Sequence, residues 1–241
     1  MKSIQRREVT LAVVLSSAAG YLDAVGFVVL GGFFVSFMSG NTTELATGSG
    51  MGDWSAAGTA ASIIGLFFAG TVLGALLVRV RDGRTTVLAA TSILVAITAL
   101  LDVTVAERWP VAVLLPLAMG VLNATFLVAG EASIGLTYMT GALVKAGQRL
   151  VDAFFGGPKL LWLRHLSLWA ALLVGGVIGT VILRRFGLAT ALWVPAVLLA
   201  VITVIVAVDR HRRGVFAVKR ERREIQVLGP GLRQERLGPP R

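Results

Sequence analysis

Six stretches of this chain stay apolar for about as long as a helix needs to cross a bilayer. A helical span takes about 20 mostly apolar residues to cover about 30 Å of hydrocarbon. The runs from Val9 to about Leu30, Gly58 to Val78, Thr85 to Val105, Val111 to Gly130, Leu166 to Leu183 and Leu188 to Val208 meet that requirement. They are continuous rather than alternating, and longer than the roughly 10 residues of a barrel strand, which predicts helices. Of 241 residues, 56% are hydrophobic and 15% charged, too few charges to wet the surface of a soluble domain. With no cysteine, a secreted disulfide scaffold is excluded. The expected fold is an all-α, polytopic membrane helix bundle, one transmembrane domain over residues 1–208. A basic tail follows over 209–241, its end disordered around Gly229-Pro230-Gly231 and Pro239-Pro240.

Lys and Arg positions set the orientation. With both termini cytoplasmic, Arg108, Arg184 and Arg185 alone among the 23 Lys and Arg fall outside. The Arg184-Arg185 pair is expected in a turn between two closely spaced spans, its side chains snorkelling to headgroups. Trp54, Trp109 and Trp162 lie near span ends, as interfacial indoles should. Lys2, Arg6 and Arg7 before an apolar run and Ser16 to Ala19 resemble a cleavable leader. The apolar character, however, continues to Met38 and has an internal counterpart, so the segment reads as a retained span. The net charge of +10 sits largely on the tail, where anionic lipid attracts it. The lipid bilayer is thus the expected partner, and no specific nucleic acid is.

A weak self-similarity runs through the chain. Gly20-Tyr21-Leu22-Asp23-Ala24 matches Gly120-Val121-Leu122-Asn123-Ala124, and Met38-Ser39-Gly40 matches Met139-Thr140-Gly141. Gly70 and Gly74 match Gly175 and Gly179, Arg79 matches Arg184, and Ile97-Thr98 matches Ile202-Thr203. Their common order predicts two three-helix repeats, about 9–105 and 111–208. Three spans are an odd number, so the second copy enters the membrane from the other side. Such inverted repeats are typical of transporters and some channels, with the substrate path between the halves near the midplane. A stable bundle that transports nothing is the other outcome of such a duplication.

The Gly-Tyr-Leu-Asp-Ala run at 20–24, the Gly31-Gly32-Phe33-Phe34-Val35 step and Ser39-Gly40-Asn41-Thr42 resemble the YoaK-like family of bacterial membrane proteins, over residues 8 to 210. The resemblance implies a six-helix protein of the bacterial cytoplasmic membrane, a domain of unknown function with no agreed substrate.

Asp23 falls near the middle of the first span, where a carboxylate costs about 2.5–3.5 kcal/mol and must face the bundle interior, a partner or water. It reads as a proton carrier or a solute ligand, or as a hydrogen-bonded Asp capping a helix break. Its mate Asn123 cannot titrate. The segment from Gly31 to Thr43 combines a glycine break, an apolar step and a Ser-Gly-Asn-Thr-Thr run fit to cap a helix. It reads as a re-entrant or broken helix, or as an extracellular loop with an amphipathic turn. Its mate is residues 132–143, around Tyr138, Thr140 and Gly141. Helix N-termini there would present N–H groups to an anion or polar solute. The candidate binding set is thus Tyr21, Asp23, Ser39, Gly40, Asn41, Thr42, Asn123, Tyr138, Thr140 and Gly141. Glu44 and Lys145, at equivalent positions, could pair as a gate or stay solvated, and Glu131 is a further relay candidate. Gly70/Gly74 and Gly175/Gly179 are small-xxx-small pairs for close helix packing, within the bundle or across a homodimer.

No cofactor and no metal site is expected, since there is no Cys and His165 and His211 are the chain's two histidines. No nucleotide-binding glycine loop or nucleophile elbow occurs, so enzyme activity is not expected. The Asn-Pro-Ala of aquaporins is absent, and Ala142 stands where Asn41 does in the first copy. The reading is a small secondary transporter or permease for a small polar or anionic solute. A non-transporting membrane scaffold or regulator is the alternative, and a passive channel the third choice.

Overall fold

A computed structural model of the chain describes residues 6–79, 82–104, 108–128, 131–132 and 136–212. Seven helices occupy most of them: α1 (Arg6–Val29), α2 (Met38–Met51), α3 (Trp54–Val78), α4 (Gly83–Thr104), α5 (Trp109–Leu122), α6 (Met139–Phe154) and α7 (Leu161–Arg212). A 3₁₀ turn, Asn123–Phe126, ends α5, and a two-residue antiparallel pairing of Leu127–Val128 with Glu131–Ala132 follows. The protein is an all-helical membrane bundle. Five of its helical segments are long and apolar enough to cross a bilayer.

The fifth of these is long enough for two crossings. At 52 residues α7 is far longer than one span, and Gly187 interrupts it with φ 81° and ψ 174°, a left-handed conformation open to glycine. The two arms, 161–186 and 188–212, are each about 25 residues, enough to span with some tilt. Arg184 and Arg185 are therefore not in a turn as the sequence suggested. They lie exposed in the last helical turns before the break. The fourth span also departs from expectation, leaving the α-helix at Asn123 rather than at Gly130. The Asn123 amide donates to the Met119 carbonyl (2.9 Å) and the Thr125 hydroxyl to the Leu122 carbonyl (2.7 Å), tightening the chain into 3₁₀ geometry. Val105, Gly130 and the tail from 213 onward lie outside the described residues.

Helix ends follow local chemistry. Gly52, at φ 76°, closes α2, and the Asp53 side chain accepts from the Ala56 N–H (3.0 Å) to cap α3, so α2 and α3 form a tight hairpin. Pro110 opens α5 at a position that needs no N–H.

The helices pair twice in the same way with partners exchanged. α1 packs along α7 and α3 along α5. Gly20 lies against the Leu172 backbone and Gly120 against that of Phe67; Gly175 meets Ser17 and Gly70 meets Leu117; Gly179 meets Tyr21 and Gly74 meets Val121. Each contact is backbone on backbone, so any Cβ would collide. α4 packs on both α5 and α7, and the Ser92 hydroxyl donates to the Ala196 carbonyl (3.3 Å). The dry core between them is built from fully buried Leu15, Leu22, Leu88, Leu115, Met119 and Leu199.

Candidate functional site

Two short non-helical segments, residues 30–37 and 136–138, dock on α1, and each leads directly into a helix. The first follows α1. Gly31 and Gly32 take φ 70° and 109°, and the Gly32 N–H closes on the Phe27 carbonyl (2.9 Å), reversing the chain. Residues 33–37 then descend beside α1. Val35 is fully buried, its side chain against Gly26, where a Cβ would strike it. Asp23 reaches this turn with both carboxylate oxygens. Oδ1 accepts from the Val35 N–H (2.8 Å) and the Ser36 N–H (2.9 Å), and Oδ2 from the Ser36 hydroxyl (2.9 Å). A carboxylate at this depth is tolerable because three donors face it. Asp23 is six residues before the end of α1, so the turn comes back by about 9 Å at 1.5 Å per residue.

Asn41 completes this knot from the first turn of α2. It is fully buried, and its amide pairs with the Phe34 peptide on both sides: Oδ1 accepts from the N–H (3.0 Å) and Nδ2 donates to the carbonyl (2.6 Å). Phe27, Phe34 and Phe37 contact one another in sequence over the turn, tilted and then edge-to-face, with centroids 4.8 and 5.2 Å apart. Phe37, not a hydroxyl residue, is the N-cap of α2, and no side chain caps it. The Thr42 and Thr43 hydroxyls that the sequence offered as caps instead donate to the Met38 (2.8 Å) and Ser39 (3.1 Å) carbonyls of their own helix.

The second turn repeats the first with different chemistry. The Thr137 hydroxyl donates to Asn123 Oδ1 (3.3 Å), as Ser36 does to Asp23. Leu136, like Val35, is fully buried. Tyr138 is the N-cap of α6 at φ −87°, ψ 60°, against −90° and 75° at Phe37, again with no side-chain cap. The Leu136 carbonyl accepts from the Ser16 hydroxyl of α1 (3.2 Å). Both turns therefore dock on α1, at Ser16 and Asp23. Seven residues put these on one helix face about 10 Å apart.

The remaining candidates are dispersed. Ser39, Thr42, Glu44, Thr140, Gly141 and Lys145 are exposed on α2 and α6, and Gly40 is half-buried under the Phe34 and Phe37 rings. Neither Glu44 nor Lys145 takes part in an ion pair among the described residues. Glu131 lies in the two-residue pairing. Tyr21 is buried at the α1–α7 contact, and its hydroxyl has no hydrogen-bond partner among the described residues. Gly70 and Gly74 sit in the α3–α5 contact, Gly175 and Gly179 in the α1–α7 contact.

Several contributors carry no obvious mark in the sequence. Ser36, Thr137 and Ser16 hold the turns. The run Ser36-Phe37-Met38-Ser39-Gly40 parallels Thr137-Tyr138-Met139-Thr140-Gly141 residue by residue, and extending the repeat match two residues would have found the first two. A charged cluster closes the end of the bundle where α1 begins. Glu8 pairs with Arg84 (3.4 Å), Arg7 with Asp209 (3.2 Å), and buried Asp82 with Arg210 Nε (2.7 Å), an ion pair outside hydrogen-bond alignment. The Thr85 hydroxyl also donates to Asp82. Arg84 donates to the Thr125 carbonyl (3.2 Å) and lies over the Phe126 ring, 5.1 Å from its centroid. These contacts bind α1, α4, the end of α5 and the end of α7 together.

A family model described as a protein of unknown function (DUF1275) matches residues 11–205, and the chain belongs to that family. The chain is also 35% identical over 201 residues to the UPF0700 transmembrane protein RA0705 of Rhizobium meliloti (strain 1021), a match covering 83% of this chain and 87% of that one. No solved structure matches.

Proposed function

We propose that this member of the unknown-function family is a small permease of the bacterial cytoplasmic membrane, built as two inverted three-span repeats, with both termini cytoplasmic. It would move a small polar or anionic solute between the halves. The observation that carries this reading is the pair of turns docked on one face of α1, each leading directly into a helix whose first turn has no side-chain cap. Irregular backbone at membrane depth is tolerated where protein or a polar cavity covers it, and discontinuous helices of this kind form solute sites in transporters. The exchanged pairing of α1 with α7 and α3 with α5 supports the inverted repeat, because a two-fold axis between the halves generates both contacts from one. Asp23 acts in this reading as a positioning residue that fixes the first turn.

One observation favours a second reading. Asp23 has both oxygens committed to its own protein, as a purely structural carboxylate would, which suits a non-transporting scaffold.

Proteoliposomes decide between them. Stopped-flow light scattering after an osmotic step would follow formate, nitrate, glycerol and urea. A permease accelerates volume recovery for at least one of these over protein-free vesicles, and Ser39→Trp or Thr140→Trp, which add bulk at the starts of α2 and α6, slow it. Recovery indistinguishable from empty vesicles for every solute rejects the permease in favour of the scaffold.

A further inference from the structure

Each turn is followed by a helical hairpin, α2 into α3 and α6 into α7, and the two hairpins carry opposite charge. Residues 38–60 contain Glu44 and Asp53 and no Lys or Arg. Residues 139–165 contain Lys145, Arg149, Lys159 and Arg164 against one acid, Asp152, which Arg149 already holds at 2.9 Å. The second hairpin therefore presents a net positive surface and the first a net negative one, the asymmetry that a cytoplasmic second hairpin would carry.

The cations lie beside an apolar face. Met139, Ala142 and Ala146 are buried along α6, which packs on α7. Leu143, Val144, Leu150, Val151, Phe154 and Phe155 are exposed, Phe154 by 79% and Phe155 by 87%. By helical spacing the exposed apolar residues of α6 form one side, while Lys145 and Arg149, one turn apart, lie on the other, along the seam with α7. Arg164 and His165 lie in the first turn of α7, which packs along α6. Nearby, the Trp162 indole donates to the Lys159 carbonyl (3.0 Å), an amphipathic ring suited to a membrane–water boundary. An apolar face flanked by basic residues is the pattern of a helix seated at an anionic membrane surface, and basic recesses between spans hold lipid phosphate groups.

We propose that the seam between α6 and the start of α7 binds the phosphate headgroup of an anionic phospholipid, with Lys145, Arg149 and Arg164 as its ligands and the exposed side of α6 against the acyl chains. The site stands whether or not the bundle carries a solute.

Native mass spectrometry and thermal unfolding of the full chain in detergent, titrated with phosphatidylglycerol, cardiolipin or phosphatidylcholine, test it. The wild-type protein should retain and be stabilised by the two anionic lipids and not by phosphatidylcholine. Lys145→Gln/Arg149→Gln/Arg164→Gln should weaken that binding about tenfold or more, given the strength of attraction per cation near an anionic surface. Arg184→Gln/Arg185→Gln, which removes two exposed charges far from the seam, should bind as wild type. Arg149→Lys/Arg164→Lys, which keeps the charges, should retain most of the binding and controls for folding. Equal stabilisation by phosphatidylcholine, unchanged binding by the triple variant, or the same effect from inorganic phosphate alone would each overturn the proposal.

Discussion

The turn after α1 and the turn after α5 solve one problem with unequal means. Both bring a hydroxyl, an aromatic N-cap and a buried aliphatic side chain to nearly the same backbone angles. The first is held by five hydrogen bonds from Asp23 and Asn41. Among the described residues the second is held by two, one from Thr137 to Asn123 and one borrowed from Ser16 across the bundle. Where the first has Asn41, the second has Ala142, which can hold nothing. What the two turns share is therefore the geometry, and the charge belongs to the first alone. An over-determined turn is a fixed point and an under-determined one can move. The first turn would then be the frame and the second, over its described residues, the looser of the two.

The largest effect should come from the frame. Asp23→Ala strands two backbone N–H groups and a hydroxyl in the bundle, for an expected loss of about 3–5 kcal/mol. Asn123→Ala removes one long hydrogen bond and a helix-end contact, for about 1 kcal/mol. Asp23→Asn keeps an oxygen for the N–H groups and falls between. Equilibrium unfolding of the purified protein by SDS ranks all three. Equal losses at Asp23 and Asn123 would break the comparison.

A second pair of substitutions asks where the halves should be alike. Gly20→Val drives a side chain into the Leu172 carbonyl, and Gly120→Val does the same at Phe67. Overpacking a backbone contact of this kind costs about 2–3 kcal/mol, and both variants should lose the same amount within about 0.5 kcal/mol. Unequal losses in the same SDS titration would show that the helix pairing, and not just the polar chemistry, has diverged.

These glycines also mark how much of the molecule was legible in its residues. The long apolar helices followed from hydropathy, because a bilayer leaves few alternatives, and the paired glycines marked places of close helix approach. What the glycines did not reveal was the exchange of partners, α1 on α7 and α3 on α5, because a small residue says that something approaches and not what. Asp23 was conspicuous for its cost at that depth, yet its partners Val35 and Ser36 were not, since two of its three bonds go to backbone N–H groups that every sequence contains. Asp82 and Arg210 escaped notice for a related reason. Their pairing exists only once the fold joins the start of α4 to the end of α7.

The smallest effects compare the two turns most directly. Ser36→Ala removes a hydroxyl donor to a carboxylate but leaves the two backbone bonds to Asp23, and should cost about 1–2 kcal/mol. Thr137→Val removes a 3.3 Å bond between neutral groups while nearly preserving shape, and should cost about 0.5 kcal/mol. Hydrogen exchange separates the consequences that unfolding merges. In the wild-type protein the amides of 136–142 should exchange faster than those of 35–41, because fewer side-chain bonds oppose local opening there. Thr137→Val should speed the second set and leave the first untouched, whereas Ser36→Ala should leave the first still slower than the second. If 35–41 exchanged faster in the wild type, five hydrogen bonds would not have made the first turn the stiffer one. The mobile element would then have to be sought at the carboxylate rather than opposite it.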